Sequence, residues 1–126
     1  VPVNLPGSEV FTSLDKHVID AADYSVFSTN QSQGLHDVAP NPVYPGFHSM
    51  PLVEISMNKD KWDALPDDVK TQLEESVSEF ALVQVNALAE KDEAAVAEAK
   101  AGGKITIHDW SADERAKFRT IATGEW

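Results

Sequence analysis

Thirty-five residues from Asp67 to Ala101 pass without a proline or a glycine. Pro66 with Asp67 and Asp68 stands at the start of this stretch, and Gly102-Gly103 stands at its end. Proline fits the first turn of a helix, acids suit the positive end of its dipole, and glycine stops it. The pattern predicts one helix over 66–101, ~50 Å long at ~1.5 Å per residue. Its apolar positions are Val69, Leu73, Val77, Phe80, Leu88 and Val96, thinning into an Ala/Glu-rich tract at 87–101. What remains of a 126-residue chain is too little to cover such a rod. Either the helix breaks, or it spans two lobes, or it packs on another chain.

The first half reads differently. Five of the seven prolines fall within residues 1–45. Val1, Val3 and Leu5 alternate with polar or proline residues, as in a strand. Ser8 is placed to cap a helix reaching about Val18, with Val10, Leu14 and Val18 at i, i+4 and i+8 and Phe11 beside them. Residues 19–27 read as a short buried strand and 29–37 as a short helix. Val38–Tyr44 is extended and interrupted by Pro40 and Pro42. A turn at Tyr44-Pro45-Gly46-Phe47 precedes a second alternating stretch, Pro51, Val53, Ile55 and Met57. Asn58 caps a short helix through Trp62 to about Leu65. Lys104–His108 reads as a strand, and Ser111 with Glu114 forms a capping box for the last helix. Strands and helices alternating in this way predict a mixed α/β fold.

The charge balance narrows the function. Lys plus Arg is 10 and Asp plus Glu is 21, a net charge of −11 spread along the chain. Nucleic acids and anionic membrane surfaces attract the opposite sign. No apolar run approaches the ~20 residues of a membrane span. The chain has no cysteine, which excludes disulfides, thiolate zinc sites, iron–sulfur clusters and thiol catalysis. The acidity reads as the surface of an exported or salt-adapted protein. A start at Val1, in mid-pattern, is the expectation for a chain cut from a longer one.

No G-x-S-x-G, no phosphate-cradling glycine loop and no H-E-x-x-H is present. None of the four histidines stands at metal-ligand spacing from another. His17, His36 and His108 read as solvated or locally bonded. His48 differs, because it follows the Pro-Gly-Phe turn and could face a cleft. Asp20 and Asp23 bracket two alanines in an apolar stretch. A carboxylate there is either at an edge in solvent, or at a ligand or metal position at a strand end. Tyr24, Tyr44 and Phe47 suit a pocket wall or a core, and Trp62, Trp110 and Trp126 suit packing.

Four ordered blocks resemble the substrate-binding proteins of tripartite ATP-independent periplasmic (TRAP) transporters. Pro6-Gly7-Ser8-Glu9-Val10-Phe11-Thr12-Ser13-Leu14 is similar to the family's G-x-E-V/I-F/Y-x-A-L helix. Val18-Ile19-Asp20-Ala21-Ala22-Asp23-Tyr24 is similar to its G-V-I-D-A-x-E-W. Tyr44-Pro45-Gly46-Phe47-His48 resembles Y-P-G-W-H, and Asn58-Lys59 with Trp62, Leu65 and Pro66 resembles N-K-x-x-W-x-x-L-P. The resemblance covers nearly all of this chain and corresponds to the C-terminal part of such a protein.

The resemblance implies a type II periplasmic-binding-protein-like α/β fold with two lobes around a cleft and a long helix, here 66–101. It places residues 1–47 in the second lobe on the cleft side, and 48–126 in the lobe-crossing strand, the long helix and the C-terminal strand and helix. It implies capture of a small organic anion, a 2-oxo acid, hydroxy acid or dicarboxylate, in the bacterial periplasm and its delivery to membrane permease subunits. Tyr24, Phe47 and His48 are then ligand-binding residues. Asp23, through its side chain, and Tyr24, through its main-chain carbonyl, are the metal positions, for a Na⁺ or Ca²⁺ bridging to the substrate carboxylate. The family's carboxylate-clamping Arg lies outside this chain, and Arg115 and Arg119 are not its equivalents. The expected protein is not an enzyme. Alone, the chain is expected to form a homodimer or exchange elements between copies. The rival readings are a small α/β enzyme using Asp23 and His48 as an acid–base pair, and an adaptor whose long helix pairs with a partner.

Overall fold

A computed structural model describes residues 1–46 and 54–124. Among these described residues are six helices: α1 Gly7–Asp15, α2 Phe27–Ser32, α3 Leu35–Val38, α4 Lys59–Asp63, α5 Asp67–Gly102 and α6 Ala112–Thr123. The chain divides into two units, one of Val1–His48 with Lys91–Trp126, the other of Ser49–Glu90. The long helix forms as the sequence predicts, unbroken from Asp67 to Gly102.

In the first unit α1 follows Pro6, whose φ of −57° suits a helix entry, and Glu9 N–H donates to the Pro6 carbonyl at 2.9 Å. The helix stops at Asp15, three residues short of the expected Val18. His17 takes a left-handed φ of 54°. His17 N–H donates to the Leu14 carbonyl and Val18 N–H to the Ser13 carbonyl, at 3.0 and 2.9 Å. This paired closure is the Schellman motif, with histidine where glycine is the usual choice. Val10 and Leu14 are therefore buried, while Val18, past the stop, is 71% exposed.

Two apolar clusters form the unit's core. Val10, Leu14 and Leu35 make the first, with Ile19, Val38 and Ala39 against it. Phe27, Val96 and Ala99 make the second, with Tyr44, Ala95, Ile105 and Ile107 against it. The single short helix expected at 29–37 is two, because Gly34 adopts a φ of 76° between α2 and α3. No side chain within α2 caps its start. Asp92 of α5 does so from a distance, accepting from Ser28 N–H at 2.8 Å.

The expected α/β character shows only in part, since the described residues are mostly helical. Their one β pairing is a parallel bridge between Val43 and His108. Its surroundings show why it stays single. Thr106 N–H donates to the Pro40 carbonyl, His108 N–H to the Pro42 carbonyl and Tyr44 N–H to the His108 carbonyl, each at 2.9 Å. A second bridge one step earlier would need an N–H from Pro42, which has none. The segments expected as strands at 1–5 and 19–27 are irregular, and Phe27 instead opens α2. Alternation creates a face, but a strand also needs a neighbouring backbone to bond. In the remainder of the third such stretch, Ile55 and Met57 are exposed; Pro51 and Val53 lie outside the described residues.

In the second unit Asn58 caps α4, accepting from Lys61 N–H at 3.2 Å, as its sequence position predicts. Trp62 is half-buried. None of this unit's described residues is fully buried. Near the C-terminus the capping box of α6 is complete in both directions between Ser111 and Glu114. Trp110 packs edge-on to Phe118 at 5.7 Å, the structural role expected of it.

Candidate ligand cleft

The chain reversal at His17 brings 18–24 back beside the N-terminal segment. Between residues 1–5 and 18–24 lies a cleft of about 650 Å³. That volume lies within the ~300–1,000 Å³ range of small-molecule sites. Val10 and Ile19 line it and also belong to the first apolar cluster, so the cleft rests on the core. Tyr24 forms one wall, its ring lying over Gly7 at the start of α1. A Cβ added at Gly7 would stand 3.1 Å from the Tyr24 hydroxyl and 3.2 Å from a ring carbon. The glycine is thus the residue that admits the tyrosine.

Asp20 and Asp23 both line the cleft and both are exposed. They lie in an irregular segment, not in a strand. No Lys, Arg or His is among the described lining residues, so the side-chain charge facing the cleft is negative. Asp23 and Tyr24, two of the expected site residues, both line this cleft. Phe47 and His48, the other expected ligand residues, lie outside the described residues, and so does Trp126. Among the described residues no group of three or more His, Cys, Asp or Glu side chains gathers as a metal site. The carboxylates of Asp20 and Asp23 are oxygen donors, the ligand type that hard cations such as Na⁺ and Ca²⁺ take.

The histidines separate by environment. His17 occupies the left-handed turn, and His108 Nε2 lies 3.2 Å from Asn41 Oδ1. His36 overturns the expectation of a solvated or locally bonded ring: it is 6% exposed and packs tilted against Phe27 with centroids 4.5 Å apart. Its Nδ1 has no hydrogen-bond partner among the described residues. Burial pushes its pKa below the usual 6.5, partly opposed by neighbouring Asp37. Sequence reading also missed Gly7, Val10 and Ile19 as cleft residues. The available signal was Gly7 itself, a flexible residue opening a helix directly after a proline. Arg115 pairs with Asp109 and donates to the Trp110 carbonyl at 3.0 Å, a local structural role.

All of residues 1–126 match the family model of bacterial extracellular solute-binding protein, family 7, abbreviated DctP. The class is a solute-binding protein and not an enzyme. The chain belongs to this family. It is 28% identical over 127 residues to the C4-dicarboxylate-binding periplasmic protein DctP of Rhodobacter capsulatus, covering 98% of this chain and 36% of that protein. It is 29% identical over 83 residues to a monocarboxylate 2-oxoacid-binding periplasmic protein of a Nostoc species, covering 65% of this chain and 23% of that protein. The crystal structure of a TRAP periplasmic solute-binding protein from Rhodobacter sphaeroides, in an apo open state, is similar with a TM-score of 0.74 and 65% identity. That likeness covers 99% of this chain and 40% of that one. The chain thus spans well under half the length of these relatives. No helix among the described residues is long and apolar enough to cross a membrane.

Proposed function

We propose that this chain is part of a periplasmic protein that captures a small organic anion and delivers it to the permease subunits of a TRAP transporter. The match of the whole chain to one solute-binding family carries the reading. Relatives named for C4-dicarboxylates and 2-oxo acids support a 2-oxo acid, hydroxy acid or dicarboxylate as the solute. Residues 1–47 belong to the second of two lobes, on its cleft side, and 48–126 contribute the long helix and the C-terminal elements. Tyr24, Phe47 and His48 contact the ligand. Asp23 and Tyr24 supply a side-chain and a main-chain oxygen to Na⁺ or Ca²⁺. That cation, when bound, offsets the negative cleft and draws the solute's carboxylate to it. No Lys, Arg or His lines the cleft among the described residues, and in this reading the carboxylate clamp is an Arg outside this chain. Copies of the chain alone pair, or exchange elements, through the apolar face of residues 67–90.

Calorimetry with pyruvate, lactate and succinate, with and without Na⁺ or Ca²⁺, tests this on the chain and on the full-length natural protein. The full-length protein binds at least one of them, and the 126-residue chain binds none at micromolar affinity. Micromolar binding by the chain alone would remove the need for a clamp elsewhere. Failure of the full-length protein under every condition would overturn the solute class.

A further inference from the structure

His36 sits where the two apolar clusters of the first unit meet. Its chain neighbour Leu35 belongs to the first cluster, and its ring packs tilted against Phe27 of the second. Phe27 in turn meets Tyr44 edge-on at 5.4 Å. The ring is 6% exposed, and its Nδ1 is buried without a partner among the described residues. A buried imidazole tolerates this as a neutral ring. As an imidazolium it would hold a second N–H with nothing to accept it, in an apolar setting.

We propose that His36 is a proton-operated joint between the two clusters, closed while the ring is neutral and opened when it is charged. The groups around it give a proton little support. α2 carries no ionisable side chain, and α1 brings Glu9 and Asp15, both exposed. Tyr44 lies beyond Phe27. Asp37, on α3 itself, favours the charged ring, and burial outweighs it. The unfolded chain takes up the proton near pH 6.5, and the native chain resists it. More protons are bound in the unfolded state below that point, so stability rises with pH through this window. The contribution is complete above about pH 6.5. It is lost as the pH falls through the lower native value. Val10 and Ile19 belong to the first cluster and line the cleft, so the joint lies under the cleft wall. The joint stands whatever solute the cleft takes.

The test compares urea unfolding of the full-length protein between pH 8 and 5 with that of His36→Phe, which keeps an aromatic ring against Phe27. The unfolding constant of the wild type, divided by that of the variant, stays flat above pH 6.5. Below it the ratio climbs by up to about tenfold per pH unit, the slope of one linked proton. A ratio unchanged from pH 8 to 5 overturns the proposal. Should His36→Phe fail to fold, NMR titration of the wild-type His36 ring, assigned through its contacts to Phe27, gives the answer directly. A midpoint below 6.5 with loss of α3 amide dispersion on protonation supports the joint. A midpoint at or above 6.5, or an undisturbed α3, overturns it.

Discussion

Residues 67–90 of α5 hold Leu73, Val77, Phe80, Leu82, Val83 and Val85, and all six are exposed. Residues 91–102 are mostly Ala, Glu and Lys, yet Val96 and Ala99 there are the only buried residues of the helix. Within one element the greasier stretch is wet and the milder one is dry. Burial follows what stands opposite. The last turns meet Phe27, Ile105 and Ile107, and small alanines let that ring approach closely. The earlier turns lie in a unit none of whose described residues is fully buried. An apolar stripe records that a surface is meant to be covered, and does not say by what.

The sharpest way to break this contrast is a matched pair of phenylalanines. Phe27→Ala empties the second cluster and is expected to cost about 3–5 kcal/mol in denaturant unfolding. Phe80→Ala, at a position 56% exposed, is expected to change the same measurement on the 126-residue chain by less than about 0.5 kcal/mol. Equal costs would end the distinction. A Phe80→Ala cost that grows in the full-length protein would show the stripe covered there. Phe80→Glu should also weaken any self-association of the chain seen by light scattering, and a wild-type chain that stays monomeric would speak against pairing through this face.

A smaller effect concerns the dry end. Asp92 caps α2 from across the unit, so Asp92→Ala should cost about 1 kcal/mol. Hydrogen exchange should quicken at Ser28 and its α2 neighbours, and unchanged exchange there would mean the cap contributes nothing. The smallest effect belongs to α6, which has no buried residue and is closed by its own capping box. The Ser111 hydrogen bonds hold the Glu114 carboxyl below its usual 4.5. Its contribution is therefore complete above about 4.5 and is lost as the pH falls through the lower native value. Helical circular dichroism of Glu114→Gln should lack that acid step, since glutamine keeps the cap without titrating. Identical acid limbs would exclude the role.

Local chemistry was legible in the residues. The ends of α5, the Asn58 cap and the Ser111–Glu114 box all follow from neighbours within a few positions. What needed distant partners was not. Val1–Leu5 and 19–27 carry strand-like patterns without an observed ladder, and the one parallel pairing is cut short by a missing proline N–H. Gly7 and Ile19 became cleft residues only through the reversal at His17, and histidine is an uncommon marker of such a stop. His36 read as solvated or locally bonded because nothing within a few positions announces that Phe27 will close over it.

The unbroken α5 also bears on how its exposed turns come to be helical. A helix is costly to start and cheap to extend, so its packed end can supply the nucleus from which the exposed turns propagate. Its exposed turns are thereby spared the cost of starting a helix of their own.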